Sequence, residues 1–545
     1  MTSYSPYPDI TVPETDLWSF LFLRPDRPFP ESKVIFTDVP SNRAYTFNDL
    51  RKLSLHFGRT LQSRFQYQKG DVLTVVSGNS IDLPPVIWGA VSIGAVVSPL
   101  NPNFSASEIV HYLTDAGAKA VVTQKAQYDA VLQAATRAGL SKDRIIVLDD
   151  ATQGIWESDA SALLDAAFAA PHISPVQNPE TDLLFLVYSS GTTGLPKGVM
   201  LSHRNVVANL IQMASMDNGA DGKPFLTHED KALAFLPFFH IYGITGIVNY
   251  GLYLGMNTFI MPRFDLQTVC ETVQSRRISY LYVVPPVALQ LVQSPLVDRY
   301  DLRSLCLLNS AAAALSLELI CGLRDKRGIT IRQQYGMSEC SPCTHSQTYT
   351  ESIQYPGSVG RLIPNVTAKY APIAGEKPKS ANPKEGELWV KGPNVFLGYY
   401  NNPTANAESF SEDGFYKTGD VGCEDTYGNF TITDRIKELI KYNGFQVAPA
   451  ELEDILLGHP AVGDCAVVGI PSGQAGSELP RAYVKPARED LTGDKVAVDI
   501  VAFVKAKVVA YKQLRGGVVF VEAIPRNPSG KILRRELKKL FASKI

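Results

Sequence analysis

From about Asp71 onwards the chain alternates short apolar runs with longer segments of helical periodicity. The runs are Val72 to Val76, Ala120 to Val122, Ile145 to Leu148 and Leu183 to Tyr188, then Leu233 to Leu236, Asn257 to Met261, Tyr280 to Val284 and Leu305 to Leu308. Buried strands alternating with amphipathic helices produce this rhythm, so it predicts an α/β fold whose strand-end loops are open to ligands. From Gly386 the pattern changes: GELWVKG, YKTGD and the stretch Thr426 to Thr433, with its turn residues Tyr427-Gly428-Asn429, predict β-rich structure. A charged segment, Asp434 to Lys441, then runs into the turn residues Asn443-Gly444. The main boundary is expected here, with residues 1–434 forming a large domain of several subdomains and 435–545 a small, mobile α+β domain. In the small domain a helix is expected at Ala450 to Leu457, strands at Val462 to Gly469 and Arg481 to Val484, and a long helix from Lys495 to Lys512.

One apolar run delivers candidate chemistry directly. After Leu183 to Tyr188 comes Ser189 to Val199, SSGTTGLPKGV. Gly191 and Gly194 free backbone amides to point at anionic oxygens, Ser189, Ser190, Thr192 and Thr193 add hydroxyl donors, and Lys197 adds positive charge. Such a loop suits nucleotide phosphates. It departs from the Walker pattern, since Lys197 follows Pro196 and precedes Gly198, so it is a phosphate loop of another kind.

Composition narrows the classes. A chain of 545 residues exceeds what one hydrophobic core supports, and 45% apolar with 19% charged residues is ordinary for a globular protein. No apolar run reaches the length of a membrane span. The net charge of -2 provides no broad basic field for nucleic acid. Seven irregularly spaced cysteines argue against a disulfide framework, and Cys340 and Cys343 form a C-x-x-C with no second pair. The ending Ser543-Lys544-Ile545 approximates the S-K-L address, so a peroxisomal import receptor is an expected partner, with the cytoplasm as the alternative location.

Four further motifs follow the loop in order: QQYGMSE at Gln333 to Glu339, YKTGD at Tyr416 to Asp420, DRIKELIKYNGFQV at Asp434 to Val447, and NPSGKILRREL at Asn527 to Leu537. Together they resemble the adenylate-forming superfamily, in its acyl-CoA synthetase and 4-coumarate-CoA-ligase-like branch, which also includes beetle luciferases. The resemblance implies two half-reactions. ATP and a carboxylic acid give an acyl-adenylate and pyrophosphate, and the thiol of CoA then displaces AMP.

The resemblance also assigns roles. The loop from Ser189 to Lys197 would hold the β- and γ-phosphates; Gln333, Tyr335 and Gly336 would flank the nucleotide, with Tyr335 against adenine. Ser338 would donate to the α-phosphate or acyl carboxylate, and Glu339 would hold Mg²⁺. Asp420 would accept the ribose hydroxyls and Arg435 would contact ribose or phosphate. Lys531 would enter from the small domain as a catalytic residue, Lys437 would be the hinge, and Lys441, Asn443, Gly444 and Phe445 would line the path of CoA. His240, Tyr242 and Gly246 would lie beside the acid, and His240 and Ser338 would be catalytic together with Lys531.

Two departures bear on which acid is bound. Leu308 stands where a lysine is common in hydroxycinnamate ligases, and Gln334 replaces the glycine of the usual Q-G-Y-G. Ala311 replaces another family glycine, while Pro342 and Cys343 keep the remaining pocket apolar. The expected substrate is therefore a medium-chain fatty acid or an arylalkanoic or phenylpropanoid acid. A luciferase-like monooxygenase shares the nucleotide motifs and is the rival reading; a nucleotide-binding protein without turnover is the third.

Overall fold

In a computed structural model of the chain, which describes residues 2–149, 172, 174–189, 196–217, 224–313, 315–373, 382–442, 445–472, 477–527 and 530–542, the apolar runs become the strands of three large sheets. Val72–Val76 is buried along its whole length and pairs in parallel with Val96–Leu100 and Ala118–Thr123. Strands buried on both faces carry no polar alternation, which is why the sequence reads there as unbroken apolar runs. A second sheet has a parallel centre of Asn257–Ile260, Lys231–Ala234, Tyr280–Val283, Leu307–Ser310 and Thr330–Gly336. A third, antiparallel, contains Glu385–Lys391, Tyr416–Glu424 and Phe430–Arg435, the β-rich region expected after Gly386.

The large domain's principal core draws on residues up to Phe430. A separate core begins at Ile440 and includes Val447, Leu452, Val467, Val484 and Ile500. The small domain is built on the helix Pro449–Leu457, the antiparallel pair Val462–Pro471 and Glu478–Pro486, and the strand Val518–Phe520. The architecture is thus mixed α/β, a large domain followed by a small one. No helix among the described residues is long and apolar enough to cross a membrane.

Two expected elements differ. The helix begun near Lys495 ends at Lys505 rather than Lys512. Beyond it come Val508 and Val509, β-branched residues that disfavour helix, and the chain turns so that Val518–Phe520 can pair with Ala482, Tyr483 and Val484. The run expected at Leu305 to Leu308 instead forms the strand Leu307–Ser310. This shift brings Asn309 into the sheet.

Asn309 belongs to a buried polar network in the second sheet. The helix His203–Met216, started by a reciprocal Ser202/Asn205 cap, ends at Asp217. A carboxylate at a helix C-terminus opposes the helix dipole and needs a cation. Arg332 supplies it: the two side chains are only 3% and 2% exposed, and they form an ion pair. Tyr250 donates to the same carboxylate, Arg332 also donates to Tyr280 Oη at 3.0 Å, and its Nε reaches Asn309 Oδ1 at 3.1 Å. Removing one partner from such a pair leaves a buried charge uncompensated, so Asp217→Asn is expected to destabilise the large domain by about 3–5 kcal/mol. Urea unfolding of that domain, compared with the parent protein, checks it; a loss below about 1 kcal/mol contradicts a paired, desolvated arrangement.

Candidate active site

The hairpin of Tyr416–Glu424 and Phe430–Arg435 sets Asp420 opposite Arg435. Their side chains pair, with Arg435 Nε 2.7 Å from Asp420 Oδ1, and the Tyr335 hydroxyl donates to Asp420 Oδ2 at 2.7 Å. Burial and the adjacent carboxylate raise the Tyr335 pKa well above its ordinary value, so the phenol stays protonated and serves as a donor. Each Asp420 oxygen retains capacity for a further hydrogen bond, which suits a ribose diol. The Tyr335 ring packs near His345 and Phe430, at centroid distances of 5.6 and 6.0 Å. Gly336 is fixed by a close approach: a Cβ there would fall 1.8 Å from the Pro342 carbonyl oxygen.

Lys531 enters this cluster from the small domain. Gly530 adopts φ +84° and packs so closely that a Cβ would meet Val284 at 3.3 Å, at the end of the strand Tyr280–Val283. The loop is closed on itself, Lys531 N–H donating to Asn527 Oδ1 at 2.9 Å and Asn527 N–H to the Lys531 carbonyl at 2.9 Å. Burial and then the Arg435 charge lower the Lys531 pKa, while Glu438 and Asp420 oppose that shift. Arg435 is itself held protonated, chiefly by Asp420.

At the phosphate loop, Ser189 and Lys197 pair across an antiparallel ladder. Ser190, Gly191, Thr192, Thr193 and Gly194 lie outside the described residues. The Lys197 ammonium sits 4.8 Å above the Tyr399 ring, and the Tyr399 hydroxyl donates to Glu339 Oε1 at 2.9 Å. The cation of the loop and the acid of QQYGMSE therefore meet across one aromatic ring. No cluster of three or more His, Cys, Asp or Glu among the described residues could hold a metal unaided. Mg²⁺ commonly takes one or two carboxylates together with substrate phosphates and water, and Glu339 beside a phosphate loop fits that donor set. Ser338, half-buried, opens the short turn that carries Glu339.

Around the expected acid site, the Tyr242 hydroxyl donates to the Asn309 carbonyl at 2.9 Å and accepts from Asn309 Nδ2 at 3.0 Å. Asn309 Nδ2 also donates to Gln334 Oε1 at 2.7 Å, and Gln334 Nε2 donates to Ser346 Oγ at 3.1 Å. Gly246 lets the Tyr242 ring close in, since a Cβ would stand 3.0 Å from it. His240 is held neutral, its pKa pushed down to about 4 by burial, and its Nδ1 has no hydrogen-bond partner among the described residues. Ala311 packs at the edge of the core immediately after the strand Leu307–Ser310. Pro342 and Cys343 follow the Glu339 turn. The Cys343 thiol is buried and pushed up to about 12, and Cys340 is raised as well, so both remain thiols.

The remaining expected site residues take the following places. Leu308 is fully buried in the principal core, and strand alternation turns it to the opposite face from Asn309, Arg332 and Gln334. Asn309, not Leu308, shares a face with Arg332 and Gln334. Gln333 commits its amide hydrogens to the Pro356 and Ser358 carbonyls at 2.7 and 2.9 Å, so those donors brace a loop rather than reach a nucleotide. Lys437 and Lys441 are exposed; Phe445, 53% exposed, stacks on Tyr511 with centroids 4.6 Å apart. Asn443, Gly444 and the terminal Ser543, Lys544 and Ile545 lie outside the described residues. Sequence reasoning missed Asn309, Arg332, Asp217 and Tyr399. Alternation along Thr330–Gly336 puts Arg332 and Gln334 on one face, but only strand pairing brings Asn309 beside them, and nothing local in the sequence links Tyr399 to Lys197.

The AMP-binding enzyme family matches residues 24–400, and the AMP-binding enzyme C-terminal domain matches residues 451–531. Probable 4-coumarate–CoA ligase 1 of Dictyostelium discoideum is 34% identical over 559 residues, covering 99% of this chain and 98% of the relative. The 4-coumarate–CoA ligase of Pinus taeda is 34% identical over 549 residues, with 99% and 98% covered. The crystal structure of ATP-bound MatB from Rhodopseudomonas palustris aligns with a TM-score of 0.83 at 26% identity, over 97% of this chain and 99% of that one. With its motifs in order along both domains, the chain belongs to the AMP-binding enzyme family of the adenylate-forming superfamily, in its acyl- and aryl-CoA ligase branch.

Proposed function

We propose that the chain is an AMP-forming acid–thiol ligase that converts a medium-chain fatty acid or an arylalkanoic or phenylpropanoid acid into its CoA thioester through an acyl-adenylate. The observation that carries this reading is the convergence of Lys531 from the small domain with Asp420 and Tyr335 on the large one and with Arg435, which ends the strand Phe430–Arg435 at the boundary. A carboxylate repels nucleophiles, so it needs a good leaving group before a thiol can attack it. Transfer of AMP from ATP provides one: an acid oxygen attacks the α-phosphorus, and pyrophosphate departs.

Each residue set supports one requirement of that step. Asp420 and Tyr335 orient the nucleoside, and Arg435 and Lys531 offset charge where two anions must meet. Lys197 and the loop it closes hold the outer phosphates. Glu339 would hold Mg²⁺, which when bound offsets charge on the phosphate oxygens. Because Lys531 covers the nucleotide face in this pose, thiol entry calls for the small domain to turn about Lys437, bringing the segment from Lys441 to Phe445 towards the acyl group.

The acid class follows from the wall. Both Asn309 amide hydrogens are already committed, to Tyr242 and Gln334, so that residue has no donor left to reward a phenolic hydroxyl. Gln334 is held at both ends, and its side chain shortens the site relative to a glycine.

An acid panel assayed for ATP- and CoA-dependent AMP release tests the reading. Phenylacetate, phenylpropanoate or a medium-chain fatty acid is expected to exceed 4-coumarate in kcat/KM, and failure of every acid to yield an acyl-CoA sinks it. Lys531→Ala should lower adenylate formation by about 10² or more, while supplied acyl-adenylate still reacts with CoA. Equal loss in both half-reactions contradicts the assigned role. Gln334→Gly should move the preference towards longer or bulkier acids, and an unchanged chain-length profile removes Gln334 from the wall.

A further inference from the structure

Lys531 is a point charge on a flexible four-carbon stem, and such a cation stabilises charge efficiently only if it is held in place beforehand. Its nearest charged partner in the small domain is Glu438, whose Oε1 lies 3.9 Å from Lys531 Nζ. Glu438 is itself fixed: Oε2 accepts from Arg534 Nε at 2.9 Å. The other edge of the Arg534 guanidinium forks onto Glu453, at 2.5 and 3.1 Å, and reaches the Val467 carbonyl at 3.3 Å. Glu453 Oε1 in turn accepts the Val467 N–H at 2.7 Å. Glu453 stands on the helix Pro449–Leu457, Val467 on the strand Val462–Pro471, and Arg534 opens the helix Arg534–Ala542. The chain of contacts thus anchors one carboxylate to three elements.

The position of these residues along the sequence adds the decisive point. Glu438, Glu453, Val467, Lys531 and Arg534 all follow Lys437, so they move as one body whatever the small domain does. Side-chain exposures of 19% for Glu438, 14% for Arg534 and 13% for Glu453 take the cluster out of the regime where solvent makes ion pairs nearly worthless. A bidentate arginine–carboxylate contact also carries geometric specificity.

We propose that Glu438, fixed by Arg534 and Glu453, is a positioning residue that aims the Lys531 ammonium at the nucleotide face. This rests on the reading that Lys531 serves adenylate formation. Glu438 has a second effect through charge. Four charged groups face Lys531: Arg435 and Asp420 from the large-domain hairpin, Glu438 from the segment after the hinge, and Arg534 from the final helix. Burial and the two arginines favour the neutral amine, whereas the two carboxylates favour the ammonium. Removing the Glu438 charge therefore lowers the Lys531 pKa further, and the alkaline limb of adenylation moves to lower pH. Asp434 faces Arg534 and accepts the Ala450 N–H at 3.1 Å. Its carboxyl is pushed up to about 7 by burial, so it acts on the acid side of the profile rather than on this limb.

The test measures both half-reactions for Glu438→Gln, Glu438→Asp and Lys531→Ala in the full chain, across pH. Glu438→Gln is expected to reduce the kcat of adenylation about tenfold or more with little change in the KM for ATP, and to shift the alkaline limb downwards. It should keep most of the rate at which supplied acyl-adenylate reacts with CoA, and Glu438→Asp should restore part of the pH shift. If Lys531→Ala abolishes adenylation while Glu438→Gln leaves its rate or its alkaline limb unmoved, the positioning role is overturned. If Lys531→Ala itself leaves adenylation intact, the reading of Lys531 falls, and this inference falls with it.

Discussion

Asp420 takes a hydroxyl hydrogen bond from Tyr335 on one oxygen and an ion pair from Arg435 on the other. Most of the site is organised around that carboxylate. Tyr335 lies near the end of the strand Thr330–Gly336 in the second sheet, Asp420 and Arg435 belong to a different, antiparallel sheet, and Arg435 is the last strand residue before the chain passes into the small domain. One buried acid therefore joins two sheets and the approach to the hinge. Lys531 meets the polar face left by this half-buried arginine and buried aspartate.

A second anchor lies deeper. The Asp217–Arg332 pair is almost wholly removed from water, and Tyr250, Tyr280 and Asn309 supply further hydrogen bonds to it. Asn309 passes this order to Tyr242 and Gln334. Asn309 and Gln334 are thereby tied to a core ion pair, and small shifts of Gln334 would have to break hydrogen bonds.

The two anchors separate the jobs that the chemistry requires. In the proposed reaction, nucleotide orientation would fall to the hairpin and the small domain, and acid selection to the sheet interior around Asn309 and Gln334. The cation most exposed to a turn of the small domain, Lys531, carries its own support within the small domain, so domain movement need not rebuild its geometry at every turnover.

Much was legible from residues alone. Unbroken apolar runs identified the buried parallel strands, turn residues located the hairpin before Arg435, and five ordered motifs identified the adenylate-forming resemblance with Lys531, Asp420 and Glu339 among them. Those signals are local: a strand's burial, a turn's φ requirement and a loop's donors are written within a few residues. The tertiary structure decided what local signals cannot carry. It set Asn309 rather than Leu308 on the face of Arg332 and Gln334, because the pairing of strands determines which neighbours share a face. It turned Gln333 into a brace, and it brought Tyr399 beneath Lys197 across some two hundred residues of sequence. Spacing along a chain fixes which groups are available, but pairing of distant strands fixes which of them meet.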